Sequence, residues 1–574
     1  MVESESGAER HPGAPAAERK ARPSTLTGAG PRKLLAPLRG VKGPEDSRLS
    51  GATLPMMIGR RRCAAAPVLL ALASAWLMLG CGDRERGAAT ARAPSSTPAL
   101  RLVAFTDLAG ALEPCGCQSR PLGGLDRAAA KLAELRKDKT PVLLVAAGDV
   151  FFGNPPEGAV AGTDATTQEI WKAETVVDVL GKLGTAAVTP GPRDLRYGRE
   201  TFDKLAARAK FRVLGGPTAS WLTSVGSTKV GLIGVNGEAS AAALSREVKQ
   251  LRESGAQVVV ALFSTDQRTG RRLAGAVEGV DFVVQGGLDS ANTPPPSRAG
   301  QAVILRASHD GQGLVVADLY PRGGSGFEDI SAWSRREQTA ALRGRIQELD
   351  GKIRGWERDP SVDRASLEQQ RAKLATLRAE EKALQSPRTP AAAAFDASYV
   401  ELGPEVKPDA DVAALMDAHD ARLNDHNRVA FANVRAPAAP SGGPHYVGSD
   451  GCKSCHGSAY AWWTETKHGH AYTTLETRHK QFNLSCVGCH VTGYNKPGGA
   501  AVVQNEGLTH VGCESCHGPG SAHVDSPDTE PAPFITRSPA ADVCKECHTP
   551  EHSDRFEFNT YVSRLRAPGH GLPN

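Results

Sequence analysis

Cys452-Lys-Ser-Cys455-His456 is the first of four short motifs that decide how the last quarter of this 574-residue chain is built. The other three are Cys486-Val-Gly-Cys489-His490, Cys513-Glu-Ser-Cys516-His517 and Cys544-Lys-Glu-Cys547-His548. In each C-x-x-C-H motif, the two thiols can form thioethers with the two vinyl groups of one haem, and the adjacent histidine then lies beneath the iron. The series therefore predicts four c-type haems with these four histidines as proximal ligands.

Two other interpretations of the paired cysteines are zinc ribbons and ordinary disulfides. Neither requires a histidine directly after every second cysteine. Histidine fills only 16 of the 574 positions, so its recurrence in all four motifs favours haem.

The chain is too long for one hydrophobic core, so we expect two or three domains. Its formal net charge of +5 comes from the N-terminus, because residues 1–80 hold 12 Lys/Arg and 6 Asp/Glu, which leaves 56 and 57 elsewhere. The body of the protein thus lacks the basic surplus typical of nucleic-acid-binding proteins, and we expect no nucleic-acid partner.

The N-terminal region has the pattern of an export signal. Residues 1–55 have no periodicity and are interpreted as disordered or as a spurious extension, with a better start at Met56 or Met57. Residues 56–80 combine three arginines with an apolar run, and the ending Leu79-Gly80-Cys81 resembles a bacterial lipoprotein signal. Lipidation of Cys81 would anchor the protein to a membrane on the extracytoplasmic side. A plain transmembrane anchor is the alternative.

After a linker at residues 82–99, the pattern changes to short apolar runs that alternate with helical stretches over residues 100–322. This alternation predicts a layered α/β domain that ends near Tyr320. The expected strands are 102–105, 142–147, 186–189, 230–235, 258–263, 282–284, 303–306 and 314–319, and helices are expected at 125–135 and 173–183.

Residues 332–386 are rich in Arg, Glu, Ala and Leu, with apolar residues spaced alternately four and three apart. This spacing predicts an antiparallel helical hairpin packed as a short coiled coil, broken at Asp359-Pro360-Ser361, with Ser361 as the second N-cap. The hairpin is interpreted as a spacer, with partner binding as the alternative. Residues 387–444 are expected to be a linker that contains one helix, 411–423.

Residues 445–574 are expected to form a multihaem domain made mainly of helices and loops. The last methionine is Met416, upstream of every motif, so methionine ligation of iron is nearly excluded there. Bis-histidine ligation and low reduction potentials are therefore expected. The available histidines are His445, His468, His470, His479, His510, His523, His552 and His570.

Parts of this region resemble the tetrahaem cytochromes c that take electrons from hydroxylamine oxidation in nitrifying bacteria. The resemblance covers roughly residues 447–550 and is carried by 486–494, 511–520, Trp463 and Thr466–Ala471. It implies that His468 is a distal haem ligand, with His470, His479 and His523 as further distal candidates. It also implies electron transfer with redox partner proteins, and in that family one iron has no sixth ligand from the protein.

Residues 100–320 resemble the calcineurin-like metallophosphoesterases, in the periplasmic nucleotidase branch. The matching stretches, in chain order, are 105–110, 123–125, 147–149, 191–198 and 281–287. The resemblance implies a two-metal centre that clamps a phosphoryl group and activates water.

Most ligands of such a centre are missing from this sequence. The Asp-x-His pair is Asp107-Leu-Ala109, Gly-Asn-His is Gly191-Pro-Arg193, and Gly-His-x-His is Gly287-Leu-Asp-Ser290. Only Asp107 and Asp149 remain, as vestigial metal ligands, so we expect a retained fold and a lost catalytic centre. One weakly bound metal on these two aspartates is the alternative.

Cys115 and Cys117 follow the first strand, in the loop over the former metal site. Their two interpretations are an inert or disulfide-bonded pair, and a candidate catalytic thiol pair. The second would bind a soft metal or a sulfur species, or exchange electrons with the haems, with Asp107 or Asp149 as a nearby acid or base.

These patterns together predict a membrane-anchored extracytoplasmic tetrahaem cytochrome c that transfers electrons between partner proteins. One alternative is an active nucleotidase with a cytochrome appendage. Another is a haem reductase of a small nitrogen or sulfur oxide.

Overall fold

The computed structural model describes residues 97–114, 119–154, 164–287, 293–322, 326–385, 392–526, 534–550 and 552–568. The predicted signal, the proposed lipidation site Cys81, the pair Cys115 and Cys117, and His570 lie outside these ranges. Within the described residues, no helix combines the length and apolar character needed to cross a bilayer.

Two mixed β-sheets form the centre of the N-terminal domain. The first has the order β12-β13-β11-β1-β2-β3-β4 and the second the order β5-β6-β7-β8-β10-β9. The strands are β1 (Leu100–Thr106), β2 (Val142–Gly148), β3 (Thr185–Pro190), β4 (Arg212–Val213), β5 (Thr218–Val225), β6 (Thr228–Asn236), β7 (Val258–Ser264), β8 (Phe282–Gly286), β9 (Ser297–Ala299), β10 (Ala302–Leu305), β11 (Gly313–Tyr320), β12 (Glu328–Asp329) and β13 (Ala394–Glu401).

The sheets face each other across a buried layer that includes Leu102, Val145, Val260 and Val284. Helices cover both outer faces, which makes a four-layer α-β-β-α sandwich. The helices of this part are α1 (Leu125–Leu135), α2 (Asp164–Lys182), α3 (Arg199–Arg208), α4 (Ala241–Glu253), α5 (Gln267–Ala276), α6 (Ala332–Trp356), α7 (Arg364–Leu384) and α8 (Ala410–Ala430). The long apolar runs of β2, β7 and β8 are explained by burial on both faces of each sheet.

The domain extends well beyond Tyr320, which corrects the predicted boundary at residue 322. β13 lies in the predicted linker 387–444, yet it pairs along its whole length with β11, from Gly313↔Glu401 to Tyr320↔Ala394. Helix α8 continues to Ala430, and its Val412 and Met416 pack into the core beneath the first sheet. The prediction failed because β13 pairs with a strand that is far away in sequence, so no local pattern announces it.

Helices α6 and α7 form the predicted hairpin, inserted between β12 and β13. Leu342, Ile353, Leu374 and Leu377 are buried along its seam, and Arg343–Glu381 and Arg378–Asp350 form ion pairs across it. The N-cap of α7 is Asp363, whose side chain accepts from the Ser366 N–H, and not Ser361 as predicted.

The C-terminal domain is made of short helices and turns, with one isolated β-bridge between Val491 and Thr509. Its helices are α9 (Gly457–Thr464), α10 (Ala471–Glu476), α11 (Cys513–His517), α12 (Ser521–Asp525), α13 (Ala541–Lys545) and α14 (Phe558–Ser563). Its apolar core is small, with Tyr472, Val487, Val491, Ala500 and Val502 as the buried members.

Candidate haem centre and the aspartates of the sandwich

The four C-x-x-C-H motifs lie next to one another. Cys452 lies within hydrogen-bonding range of Cys513, and Cys489 within that of Cys547. Helices α11 and α13, which carry the third and fourth motifs, also contact each other. None of the eight cysteines forms a disulfide. The fold thus brings together attachment sites that lie up to 95 residues apart in the sequence.

Two of the four histidines predicted to be proximal ligands each face a second histidine. The ring centres of His456 and His523 are 6.3 Å apart, and those of His468 and His548 are also 6.3 Å apart. Two imidazoles on opposite sides of one metal have ring centres about 6 Å apart, given metal–nitrogen bonds of about 2 Å and about 1 Å from each nitrogen to its ring centre. The pairs therefore have the spacing that an iron between them requires.

Further details of these histidines fit metal ligation. Nδ1 of His523 is buried and has no hydrogen-bond partner among the described residues. Burial lowers the pKa of His468, and the nearby charge of His548 lowers it further, which keeps the imidazole neutral and able to bind a metal.

Three proximal histidines have Nδ1 next to an oxygen atom. Nδ1 lies 2.6 Å from Ala471 O in His490, 2.8 Å from Thr536 O in His517 and 3.0 Å from Ser553 Oγ in His548. A hydrogen bond from Nδ1–H fixes the ring and leaves Nε2 for a metal. The residues present therefore fit a c-type haem at each of these motifs.

The other two distal candidates, His470 and His479, are exposed. Burial lowers the pKa of His510, the negative charge of Glu476 opposes this effect, and nearby His470 and His490 lower the pKa further. His510 Nδ1 accepts a hydrogen bond from Tyr472 N at 3.1 Å.

The two aspartates of the sandwich meet because parallel strands end at the same edge of a sheet. Asp107 follows β1 and Asp149 follows β2, its parallel neighbour. Asp107 Oδ1 accepts from Gly287 N at 2.7 Å and from Asp149 N at 3.3 Å. Asp149 Oδ1 accepts from Arg193 N at 2.8 Å.

Arginine side chains supply positive charge beside these aspartates. Arg193 Nη1 lies 3.4 Å from Asp149 Oδ2. Burial lowers the pKa of Arg306, and the negative charge of nearby Asp107 opposes this effect. Among the described residues, no group of three or more His, Cys, Asp or Glu side chains is arranged to hold a metal ion.

Asp194, in the motif that contains Arg193, has a structural role that the sequence did not reveal. Its buried carboxylate accepts from Val150 N, Phe151 N, Phe152 N and Gly191 N. These hydrogen bonds therefore connect the loop after β2 with the loop after β3.

The contact between the sandwich and the haem-motif domain was also missed. Helix α8 presents Asp420, Asn424 and Asn427 on one face, spaced four and three residues apart. Asn424 Oδ1 accepts from Phe482 N at 3.2 Å, and Asn427 Nδ2 donates to Phe482 O at 2.8 Å. The periodic polar face of α8 was visible in the sequence, but its partner was not.

Lys480 lies at the centre of this contact, close to Cys486. Its ammonium pairs with Glu113 and lies 3.2 Å from Asp420 Oδ2, and its side chain is only 13% exposed. At a second point, Asp554 accepts from Ser119 N at 2.9 Å and Ser119 Oγ at 2.8 Å. Two residues of the loop after β1, Glu113 and Ser119, therefore contact the haem-motif domain.

Known proteins are similar to this chain in both its sandwich domain and its haem-motif domain. Residues 451–518 match the family described as cytochrome c554 and c-prime. The chain is 35% identical to cytochrome c-554 of Nitrosomonas europaea over 91 residues, or 13% of this chain and 39% of that protein. It is 27% identical to 5'-nucleotidase of Bos taurus over 248 residues, or 36% of this chain and 41% of that protein.

Solved structures give weaker matches. A 5'-nucleotidase precursor from Thermus thermophilus has a TM-score of 0.39 and 14% identity, over 59% of this chain and 61% of that chain. A calcineurin-like phosphoesterase from Bacillus subtilis has a TM-score of 0.32 and 19% identity, over 40% of this chain and 88% of that chain.

The chain spans about two-fifths of the length of the two curated relatives named above. The chain is therefore similar to 5'-nucleotidases over its layered α/β part and to cytochromes of the c554 type over its C-terminal part. Both resemblances predicted from the sequence are confirmed.

Proposed function

We propose that this protein is an extracytoplasmic, membrane-anchored c-type cytochrome with four haems that transfers electrons between redox partner proteins. The observation that carries the proposal is the two pairs of opposed histidines, His456 with His523 and His548 with His468, each with the spacing that one iron between them would require. Bound haem supplies reversible one-electron chemistry at these sites. The cysteines would hold the haem, the histidine pairs would ligate its iron, and the Nδ1 hydrogen bonds orient three of the proximal rings.

The test is the haem content of the exported protein. Mass spectrometry of the denatured protein should show four covalently attached haems, and removing both cysteines of one motif should remove one haem. A polypeptide that carries zinc at these motifs, or no added mass, would contradict the proposal.

We also propose that the sandwich domain does not hydrolyse phosphate esters. Asp107 and Asp149 stand where a nucleotidase would place metal ligands. Here both carboxylates accept hydrogen bonds from backbone N–H groups, and Asp149 also forms an ion pair with Arg193. A guanidinium neutralises a carboxylate but generates no metal-bound hydroxide.

In this proposal the sandwich serves as a platform for the cytochrome domain. Its support is the row of buried polar contacts from α8 to the loop at 480–482.

Phosphate release from AMP with added Mn²⁺ tests this part. We expect the full-length protein to release no more phosphate than the D107N/D149N double variant. Release that depends on Mn²⁺ and on both aspartates would instead establish a nucleotidase with a cytochrome appendage.

A further inference from the structure

The hydrogen-bond partner of Nδ1 differs among the proximal histidines. The partners of His490 and His517 are peptide carbonyls, at 2.6 and 2.8 Å. The partner of His548 is the hydroxyl of Ser553, at the longer distance of 3.0 Å. A hydroxyl oxygen is a weaker acceptor than a peptide carbonyl, so the proton of His548 Nδ1 is the least strongly attracted of the three.

The strength of this hydrogen bond affects the metal. A stronger acceptor makes the imidazole more basic, which stabilises the ferric state and lowers the reduction potential. A weaker acceptor has the opposite effect, so the three sites are not electronically equal.

Packing holds the His548 ring and Ser553 in this arrangement. The ring of His548 stacks on Phe556 at 4.9 Å with an interplanar angle of 11°, and it meets the edge of Tyr561 at 5.5 Å. Ser553 N donates to Thr549 O at 2.7 Å. The next residue, Asp554, binds Ser119 of the sandwich, which fixes the same turn from the other side.

We propose that Ser553 is a positioning residue that lowers the reduction potential of the haem held by Cys544, Cys547 and His548, and lowers it less than the peptide carbonyls lower the potentials at the second and third motifs. The proposal rests on the haem binding proposed above.

Four single variants test the role of the hydroxyl. S553A removes it, S553D replaces it with a strong acceptor, and S553T retains it. S563A is the matched control, because the exposed hydroxyl of Ser563 bonds only Thr560 O among the described residues. The measurements are a spectroelectrochemical titration resolved into its four components, and the ferric electron paramagnetic resonance spectrum, both on fully loaded protein.

We expect S553A to shift one of the four potentials upward and S553D to shift the same component downward, with a matching change in that haem's ferric signal. S553T and S563A should leave all four unchanged. Four unchanged potentials in both S553A and S553D, or an equal shift in S563A, would overturn the assignment.

If S553A does not take up its fourth haem, S553D and S553T decide the question. In that case, the assignment is overturned if no reduction potential of fully loaded S553D is lower than the corresponding potential of S553T and of the parent protein. Haem absent from the parent protein would instead contradict the proposed function.

Discussion

Two histidines that the sequence could only rank as candidates, His468 and His523, lie opposite a proximal histidine in the structure. The sequence could not separate them from His470 and His479, because every one of these side chains can ligate iron. The choice among them depends on which ring reaches a proximal histidine, and that depends on the packing of α9 to α14. The family resemblance ranked His468 first, but it did not indicate that His548 is its partner.

Removing one distal histidine should open one iron. In H523A and in H468A, we expect about a quarter of the ferric haem to become high-spin, since one of four irons loses its sixth ligand. Absorption and electron paramagnetic resonance spectra of the loaded proteins measure this fraction. H309A is the control, because His309 is paired with Asp310 in the sandwich domain. A high-spin fraction in both variants that equals that of the parent protein would show that these residues are not ligands.

At the scale of elements, α8 is the helix that connects the two domains. One face packs Val412 and Met416 into the sandwich core, and another presents Asn424 and Asn427 to Phe482. The sequence predicted a helix here but placed it in a linker. Helical periodicity reveals that a helix has a buried face, but it does not reveal which element covers that face.

Asn427 is the most buried of the polar residues on α8, at 0% exposure, and it also accepts from Gln168 Nε2 at 2.7 Å. N427A leaves the Gln168 amide and Phe482 O unpaired, so we expect a loss of about 1–3 kcal/mol in local stability. Hydrogen exchange should become faster at residues 480–487. D425A on the same helix is the control, because the Asp425 side chain is 74% exposed and should change little. Equal exchange in the two variants would contradict the role of this contact.

At the scale of the whole molecule, the junction of the domains contains ionisable groups with opposite pH dependence. Burial raises the pKa of Asp420 to about 7, with the charge of Lys480 opposing and that of Glu113 reinforcing the shift. Burial lowers the pKa of His419 to about 4, and the charges of Lys172 and Lys480 lower it further. Folding therefore favours protonated Asp420 and neutral His419.

Each group makes the free energy of unfolding depend on pH, because its pKa differs between the folded and the unfolded state. Asp420, with an ordinary pKa of 3.8, contributes stability that is full below about pH 4 and is lost as the pH rises through about 7. His419, with an ordinary pKa of 6.5, contributes stability that is full above pH 6.5 and is lost as the pH falls toward 4. The two oppose each other between pH 4 and 6.5, so only a comparison of variants isolates Asp420.

D420N removes the titration but keeps the shape of the side chain. We expect the parent to lose roughly 1–3 kcal/mol of stability relative to D420N between pH 5 and 8. Calorimetric Tm values of both loaded proteins across this range measure the difference, with D425N as the control. Parallel profiles for parent and D420N would show that Asp420 does not titrate in the junction.

The sequence by itself determined where we propose that haem is attached, because thioether chemistry requires two cysteines and a histidine within five consecutive residues. It also determined the layered α/β class, because buried strands must be apolar along their length. Tertiary structure alone decided which histidine faces which, that β13 completes the first sheet, and that Lys480 bonds Glu113, 367 residues away in the sequence. The physical reason is distance along the chain, because covalent motifs and periodicity are local, whereas ligand pairing and domain contacts join residues that only the folded chain brings together.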